Sequence, residues 1–237
     1  MVYKDFFLYT EAYWDFCKGF EIVQELTEAA GINKFNFNRY GWSGEGSPVA
    51  DPDEHITVRF DFNENLVTQR ISAKLEEMKN YGKINNWCSE EDNIWNIEPM
   101  NRYPSVYHTA HETSTACAIK FYNEIKNNTI EFNNFKNNKV AYLQIFLPLW
   151  LKYSGFTMFN NYSANSFLFI KQLAKKCSES FRRTVDRNQI SNKCTFAERL
   201  VHLFLNCITV DRSQETEILQ NMGIHDFNAL ANSLEDC

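Results

Sequence analysis

Residues 55–60, His-Ile-Thr-Val-Arg-Phe, alternate side chains that can do chemistry with apolar ones. Successive side chains of a β-strand point to opposite faces, so we expect His55, Thr57 and Arg59 to share one face. A strand arginine among apolar neighbours most often lies on a solvated outer face. The alternative is that this polar face is the floor of an anion-binding site, because a guanidinium group binds carboxylates through paired hydrogen bonds.

A second arginine, Arg39, lies beside Tyr40 at the end of the preceding strand candidate. If the two strands pair, the guanidinium groups of Arg39 and Arg59 can bind one carboxylate in bidentate fashion. This neighbour favours the anion-site interpretation of Arg59. It also makes Arg39 and Tyr40 candidate binding residues.

Arg102 and Tyr103 belong to a segment that Pro99 and Pro104 bracket. Proline restricts the residue before it and disfavours a helix interior, so the segment is predicted to be an ordered turn. Arg102 then either projects into a cleft or is an ordinary surface arginine. The residues alone leave both interpretations open.

His108 and His111 are one helical turn apart, and Glu112 follows directly. The group resembles half of a metal site, but its H-x-x-H-E spacing differs from the H-E-x-x-H of zinc peptidases. No third ligand stands out. We therefore favour a helix N-terminus with Glu112 in its first turn, where the helix dipole stabilises a carboxylate.

His202 and Asn206 are four residues apart, on one face of an otherwise apolar helix candidate. Buried polar groups need partners, which favours a hydrogen-bonded core pair. The alternative is a histidine at the edge of a pocket, available for proton transfer near neutral pH.

The composition indicates a folded protein, since 44% of the 237 residues are hydrophobic, and the net charge is −6. This acidic balance is opposite to that of a non-specific nucleic-acid surface. The seven cysteines form no C-x-x-C pair, which disfavours a zinc ribbon and favours reduced, mostly buried thiols. The most apolar run, residues 140–151, is too short to span a bilayer, and the first residues lack a signal peptide. We expect a soluble, cytoplasmic protein.

Strand candidates fall in the first half of the chain and helices dominate the second. Alternation and short apolar runs predict strands at residues 6–9, 34–40, 56–62, 84–87 and 93–97, with an acidic turn at 89–92. Helical periodicity predicts helices at 15–30, 65–81, 108–126, 141–153, 164–183, 197–209 and 211–222. Loops are predicted at 41–53 and 127–138. The apolar stripe of the second helix is predicted to be Leu66, Ile71, Leu75 and Met78.

This order of elements predicts an α+β fold. A mixed, largely antiparallel sheet packed with helices is expected in the N-terminal half, and the C-terminal half is expected to be mainly helical. The length suits a single domain over 1–237, with a strand-containing part of about 1–105 and a helical part of about 106–237.

Taken in chain order, the motifs resemble those of a known family. It is the C-terminal glutamate-elimination domain of class I lanthipeptide dehydratases, which also occurs as stand-alone thiopeptide-type bacteriocin biosynthesis proteins. The family pattern runs F-F-I-R-Y, H-L-R-x-R-F, E-x-x-R-Y-G-G and a late H-M-x-x-N-R-L, and the resemblance covers nearly the whole chain. The corresponding residues are Phe35-x-Phe37-x-Arg39-Tyr40, His55-Ile56-Thr57-Val58-Arg59-Phe60, Glu98-x-x-x-Arg102-Tyr103, Ala110-His111-Glu112, Val201-His202-Leu203-x-x-Asn206 and Asp211-Arg212-x-x-x-Glu215.

The resemblance implies a carbon–oxygen lyase of ribosomal natural-product biosynthesis. In the family, a partner domain attaches glutamate to Ser or Thr of a precursor peptide. The elimination domain then removes the glutamate and leaves dehydroalanine or dehydrobutyrine. By motif position, the implied catalytic residues are Arg59, Arg102 and His202. The implied substrate-binding residues are Arg39, Tyr40, His55, Tyr103, His111, Glu112 and Asn206.

These residue types suit β-elimination, which needs a base for the Cα proton and cations for the enolate and the departing carboxylate. Arg59 and Arg102 fit the anion-binding roles because arginine stays charged and binds carboxylates through two hydrogen bonds. His202 is assigned to proton transfer. No cofactor and no metal are expected.

The expected partners are a ribosomally made precursor peptide and a separate glutamylation-domain protein. Direct contact with nucleic acid or a membrane is not expected, and a homodimer is left open.

The chain departs from the family pattern at three places. Thr57 replaces the first strand arginine, Pro104-Ser105 replaces Gly-Gly, and Cys207 replaces the arginine after the late asparagine. Two alternatives therefore stay open. One is a stand-alone thiopeptide cyclase, which forms a six-membered nitrogen ring from two dehydroalanines. The other is a non-catalytic domain that binds a precursor peptide.

Overall fold

The computed structural model describes residues 3–11, 15–32, 35–40, 55–61, 65–91, 104–156, 167–184, 193–210 and 212–222. The predicted loop at 41–53 and the predicted strand at 93–97 lie outside these ranges. Contacts divide the chain into two compact units. Unit 1 is Met1–Arg102 with Asn206–Thr209, and unit 2 is Tyr103–Leu205 with Val210–Cys237.

Unit 1 contains two βαβ repeats that share one antiparallel sheet. Its elements are β1 (Tyr3–Tyr9), α1 (Phe16–Ala30), β2 (Phe35–Tyr40), β3 (His55–Asp61), α2 (Asn65–Asn80) and β4 (Asn86–Glu91). The strand order is β2-β3-β1-β4, and every pair of neighbouring strands is antiparallel. This is the split βαβ arrangement of ferredoxin-like folds.

Helix α1 begins and ends at capping residues that the sequence supplies locally. The Asp15 carboxylate accepts the backbone N–H groups of Cys17 and Lys18, both at 2.9 Å. Gly31 takes the left-handed conformation, with φ 67°, and its N–H bonds the carbonyls of Thr27 and Glu28. The predicted helix at 15–30 is therefore confirmed.

One face of the sheet is a dry apolar layer. Phe6, Ile56, Val58 and Phe60 are fully buried, and the Phe20 ring of α1 packs edge-on against the Phe37 ring of β2 with centroids 5.2 Å apart. Helix α2 buries Ile71, Leu75 and Met78, as its periodicity predicts. Leu66 is 63% exposed, so its assignment to the apolar stripe was wrong.

Strand β4 differs from the prediction. Its span, Asn86–Glu91, includes most of the predicted acidic turn, and Ser89 pairs with Phe6 of β1. The turn prediction was wrong at these positions because pairing with a distant strand outweighs the local turn preference of a Ser-Glu-Glu sequence.

Unit 2 consists of helices in the residues that the structure describes. They are α3 (Pro104–Lys126), α4 (Thr129–Asn137), α5 (Lys139–Tyr153), α6 (Leu168–Thr184), α7 (Lys193–Cys207) and α8 (Arg212–Asn221). Its core is aromatic: the Phe121 and Phe146 rings lie 4.8 Å apart, and the Trp150 and Phe204 rings lie 4.7 Å apart. The α+β prediction, with a mainly helical second half, is confirmed.

Helix α4 occupies the segment predicted as a surface loop. Asn128 caps it by accepting the N–H of Glu131 at 3.2 Å, and Phe135 is 1% exposed against the aromatic core. The loop prediction was wrong because the asparagines act as helix caps and one phenylalanine anchors the short helix.

No helix in the described part of the chain combines the length and the apolar character needed to cross a bilayer.

Candidate functional site

The polar face of β3 is buried. His55, Thr57 and Arg59 are 1%, 2% and 5% exposed. A solvated outer face is therefore the wrong interpretation of the alternating segment. Buried polar side chains on a sheet need compensating partners, so their contacts decide what this face can do.

Arg59 forms a bidentate ion pair with Asp5. The two residues are directly opposite on β3 and β1, so their side chains share a face. The Arg59 Nε donates to Asp5 Oδ1 and the Nη2 donates to Oδ2, each at 2.6 Å. Both side chains are buried, at 5% and 3% exposed. This geometry is the strong, planar form of a charge-assisted pair.

Asp5 was missed at the sequence level. The signal available was an aspartate directly before the run Phe6-Phe7-Leu8-Tyr9, within a strand, where aspartate is disfavoured. Such a residue points to a partner across the sheet. Identifying that partner as Arg59 requires the register of β1 against β3.

Thr57 carries a buried hydroxyl that has no hydrogen-bond partner among the described residues. Its Oγ1 is inaccessible to solvent and makes no hydrogen bond with any residue that the structure describes. It lies between His55 and Arg59 on the same strand face. An unsatisfied buried hydroxyl costs about 1–3 kcal/mol. Position 57 is also one of the three places where the sequence departs from the pattern of the family that it resembles.

His55 lies among aromatic rings. Its ring centroid is 5.3 Å from that of Phe7 and 5.6 Å from that of Tyr9. Tyr9 is directly across from His55 on β1. The hydroxyl of Tyr9 in turn contacts the sulfur of Cys88 at 3.6 Å. The polar face thus joins a charged pair, a hydroxyl and an imidazole in a largely aromatic setting.

Arg39 does not share a face with Arg59. It pairs with Ile56, so its side chain lies on the apolar face of the sheet. The expectation that both arginines bind one carboxylate was wrong, because a side-chain period of two places residues 39 and 59 on opposite faces.

The guanidinium of Arg39 donates hydrogen bonds to two backbone carbonyls. Its Nε donates to the carbonyl of Cys207 at 3.0 Å and its Nη1 donates to that of Asp15 at 3.2 Å. It also lies over the Phe20 ring, 5.5 Å from the centroid. Burial lowers the pKa of Arg39 to about 10, so the group is still charged at neutral pH.

Asn206 and Cys207 bond the outer edge of β2. The Asn206 Oδ1 accepts the backbone N–H of Arg39 at 2.8 Å, and the Cys207 thiol donates to the carbonyl of Phe37 at 3.2 Å. These bonds satisfy backbone groups of an edge strand. The predicted core pair of His202 with Asn206 was wrong, because each side chain bonds another residue.

His202 pairs with Glu215 in unit 2. Its Nδ1 is 3.1 Å from Glu215 Oε1 and 3.0 Å from Oε2. The His202 side chain is 39% exposed and that of Glu215 is 14% exposed. An imidazole that is half open to solvent and held by a carboxylate on its other side can transfer protons.

His111 and Glu112 lie in the third turn of α3. The helix begins at Pro104, so the expectation that Glu112 stands in the first turn was wrong. His111 is 2% exposed, and Ser114 beside it donates to the carbonyl of Leu200 at 2.9 Å. Among the described residues, no group of three or more His, Cys, Asp or Glu side chains could hold a metal ion.

Several predicted site residues fall outside the description. Arg102 and Tyr103 lie outside the described ranges, and the side chains of Tyr40 and His108 are not described. Convergence of Arg59, Arg102 and His202 on one cleft stays a prediction, as do the binding roles of the seven residues named with them.

Comparisons with known proteins give a structural likeness only. No family model matches the chain, and no curated protein matches it. A solved structure with a similar fold is the tRNA-dependent lantibiotic dehydratase MibB from Microbispora sp. 107891, with a TM-score of 0.53 and 12% sequence identity. The match covers 98% of this chain but only 28% of that one. The chain thus shares its fold with about a quarter of that dehydratase.

Proposed function

We propose that this protein is a peptide-modifying lyase of ribosomal natural-product biosynthesis. Its substrate would be a precursor peptide that carries glutamate esters on Ser or Thr, and its product would contain dehydroalanine or dehydrobutyrine. The observation that carries the proposal is the buried, oriented guanidinium of Arg59 on the polar sheet face. The fold likeness to a lantibiotic dehydratase over 98% of the chain supports it.

The reaction breaks two bonds and forms one π bond. A base takes the Cα proton, the C–H electron pair becomes the Cα=Cβ bond, and the Cβ–O bond breaks. Its electron pair leaves on the carboxylate oxygen of glutamate. A fixed cation near that oxygen stabilises the charge that develops on it.

Arg59 suits the cationic role because Asp5 fixes its orientation. The ion pair uses the Nε and Nη2 groups of the guanidinium, and Nη1 is not part of these two bonds. A preorganised donor needs no reorientation during the reaction. In this proposal Arg102 is the second anion-binding group, His202 moves the proton, and His55 and Tyr103 contact the substrate.

A second candidate is a non-catalytic domain that binds the precursor peptide. It is favoured by the same ion pair, because Asp5 already occupies the edge of Arg59 that best matches a carboxylate. Thr57 in place of an arginine also reduces the positive charge on this face. The two candidates differ in whether Arg59 is needed for turnover or for the fold alone.

Mass spectrometry on a defined peptide separates them. A synthetic peptide with one glutamyl-serine ester is incubated with the protein, and the lyase should convert it to the dehydroalanine peptide and free glutamate. Arg59→Lys keeps the charge but loses the planar fork, so conversion should fall by about 10²–10³-fold, as on removal of one anion-stabilising donor. Arg70→Lys, on the exposed face of α2, is the matched control.

Other outcomes select an alternative. An intact ester after incubation with folded wild-type protein, together with measurable peptide binding, would support the binding domain and reject the lyase. Conversion by Arg59→Lys at the wild-type rate would remove Arg59 from the mechanism. A linear peptide with two dehydroalanines, converted to a ring with loss of its leader, would support the cyclase alternative.

A further inference from the structure

The pair of His202 and Glu215 determines which nitrogen of the imidazole carries the proton. Nδ1 lies 3.1 and 3.0 Å from the two oxygens of Glu215, so both distances are within hydrogen-bond range. An ionised carboxylate can only accept hydrogen bonds. The proton of the neutral ring is therefore on Nδ1, and the lone pair is on Nε2.

The carboxylate is fixed by its place in unit 2. Glu215 lies in the first turn of α8, where the helix dipole favours a negative charge. Ile218, one turn on, is fully buried, and α8 packs on α5. Glu215 itself is only 14% exposed, which limits the positions that its side chain can take. The packing of α8 and the low exposure of Glu215 therefore restrict where the acceptor can lie.

The histidine is left accessible on its other side. Its side chain is 39% exposed, and none of the residues that the structure describes hydrogen-bonds Nε2. A neutral imidazole with an accessible lone pair on Nε2 is the form that accepts a proton. This combination of a held Nδ1 and an open Nε2 is the geometry of a general base.

We propose that Glu215 is a positioning residue for His202, which holds the Nδ1–H tautomer and makes Nε2 the proton acceptor. The consequence for catalysis rests on the lyase function proposed above. In that reaction Nε2 takes the Cα proton, and Glu215 stabilises the imidazolium that forms without itself being protonated. The tautomer assignment stands independently of the reaction.

Long-range ¹H–¹⁵N correlation NMR on protein with ¹⁵N-labelled histidine tests the assignment directly. At a pH where the ring is neutral, His202 should show a protonated Nδ1 and an unprotonated Nε2, and its signals are identified by their loss in His202→Asn. In Glu215→Ala the Nδ1–H tautomer should lose its dominance. A wild-type ring with the proton on Nε2 would overturn the proposal whether or not the protein is an enzyme.

The catalytic consequence is tested by a double-mutant cycle on the ester peptide. Glu215→Ala should lower kcat by about 10–100-fold with KM little changed, by analogy with the partners that orient metal-ligating histidines. The double variant with His202→Ala should be no slower than His202→Ala alone, because Glu215 acts through His202. Additive losses would overturn the positioning role.

Two controls keep the outcomes distinct. Glu215→Asp retains a carboxylate acceptor and should recover part of kcat, whereas a merely structural role would not distinguish Asp from Ala at equal stability. If wild-type protein leaves the ester intact, the lyase proposal fails. The NMR result then still decides which nitrogen of His202 is protonated.

Discussion

Asp5 and Arg59 lie directly opposite each other on β1 and β3 and form two parallel hydrogen bonds of 2.6 Å within the sheet. Removing one partner of a buried pair leaves the other charge uncompensated, which costs about 3–5 kcal/mol. We expect Asp5→Asn to lower the free energy of unfolding by about this amount, measured by urea denaturation.

Two further variants serve as comparisons for Asp5→Asn. Asp5→Leu with Arg59→Met removes both charges and should recover much of the loss, because apolar replacements of a buried pair are often neutral or stabilising. Glu77→Gln breaks a pair with Lys74 in which the Glu77 side chain is 50% exposed, and it should cost about 1 kcal/mol or less. A cost for Asp5→Asn as small as that of Glu77→Gln would show that the buried pair contributes little.

A substitution of Thr57 is expected to raise stability, in contrast to Asp5→Asn. Valine has nearly the same shape and lacks the buried Oγ1 that finds no partner among the described residues. Thr57→Val should therefore raise the free energy of unfolding by about 1–3 kcal/mol, the cost of leaving a hydroxyl unsatisfied. Thr57→Ser keeps the hydroxyl and should not stabilise. A loss of stability in Thr57→Val would mean that the hydroxyl is hydrogen-bonded in solution.

Local signals predicted most of the fold. Helix α1 was predicted because its helical periodicity is contained within the segment itself, and the structure adds caps at its two ends, Asp15 and Gly31. The pairing of β2 with β3 followed from two alternating runs on either side of a glycine-rich and proline-rich stretch. Errors arose where long-range contacts override the local pattern, as in β4, where Ser89 of the predicted turn pairs with Phe6.

The site was less predictable than the fold, because it depends on register. Arg59 was identified as a candidate from the alternation of its segment and the order of the motifs. Its burial and its pairing with Asp5, 54 residues earlier, depend on how β1 and β3 align. The register of β2 against β3 places Arg39 and Arg59 on opposite faces of the sheet. The link between His202 and Glu215 likewise joins two helices, and no helical spacing rule connects residues 13 positions apart.

Gly19 on α1 allows the close approach of Arg39. A methyl group at this position would lie 2.1 Å from the Arg39 Nη1 and 2.6 Å from its Cζ. The guanidinium could move aside only by giving up its bonds to the carbonyls of Asp15 and Cys207. Gly19→Ala should therefore destabilise by about 1–3 kcal/mol, although alanine is the better helix former.

The Arg39→Met background is the control for this steric effect. Without the guanidinium, Gly19→Ala should become neutral or stabilising by up to about 1 kcal/mol, the intrinsic helix preference. Thermal or urea unfolding of the four proteins gives the coupling between the two positions. Equal effects of Gly19→Ala in both backgrounds would show that the contact with Arg39 is not the cause.

Glu124 on α3 is expected to make the free energy of unfolding depend on pH. Its carboxylate accepts from Lys176 on α6 at 2.6 Å and from Lys120 at 3.0 Å, and the hydrogen bond from Lys176 is the main cause of a pKa below the ordinary 4.5. A lowered folded-state pKa adds stability that is present above the unfolded-state pKa and is lost as the pH falls through the folded-state value.

Glu124→Gln should therefore cost about 0.5–1 kcal/mol at pH 7, as for partly exposed pairs. Urea denaturation from pH 7 to pH 3 should show this difference shrinking below about pH 4.5. A difference that stays constant over this range would assign the loss to packing instead of charge.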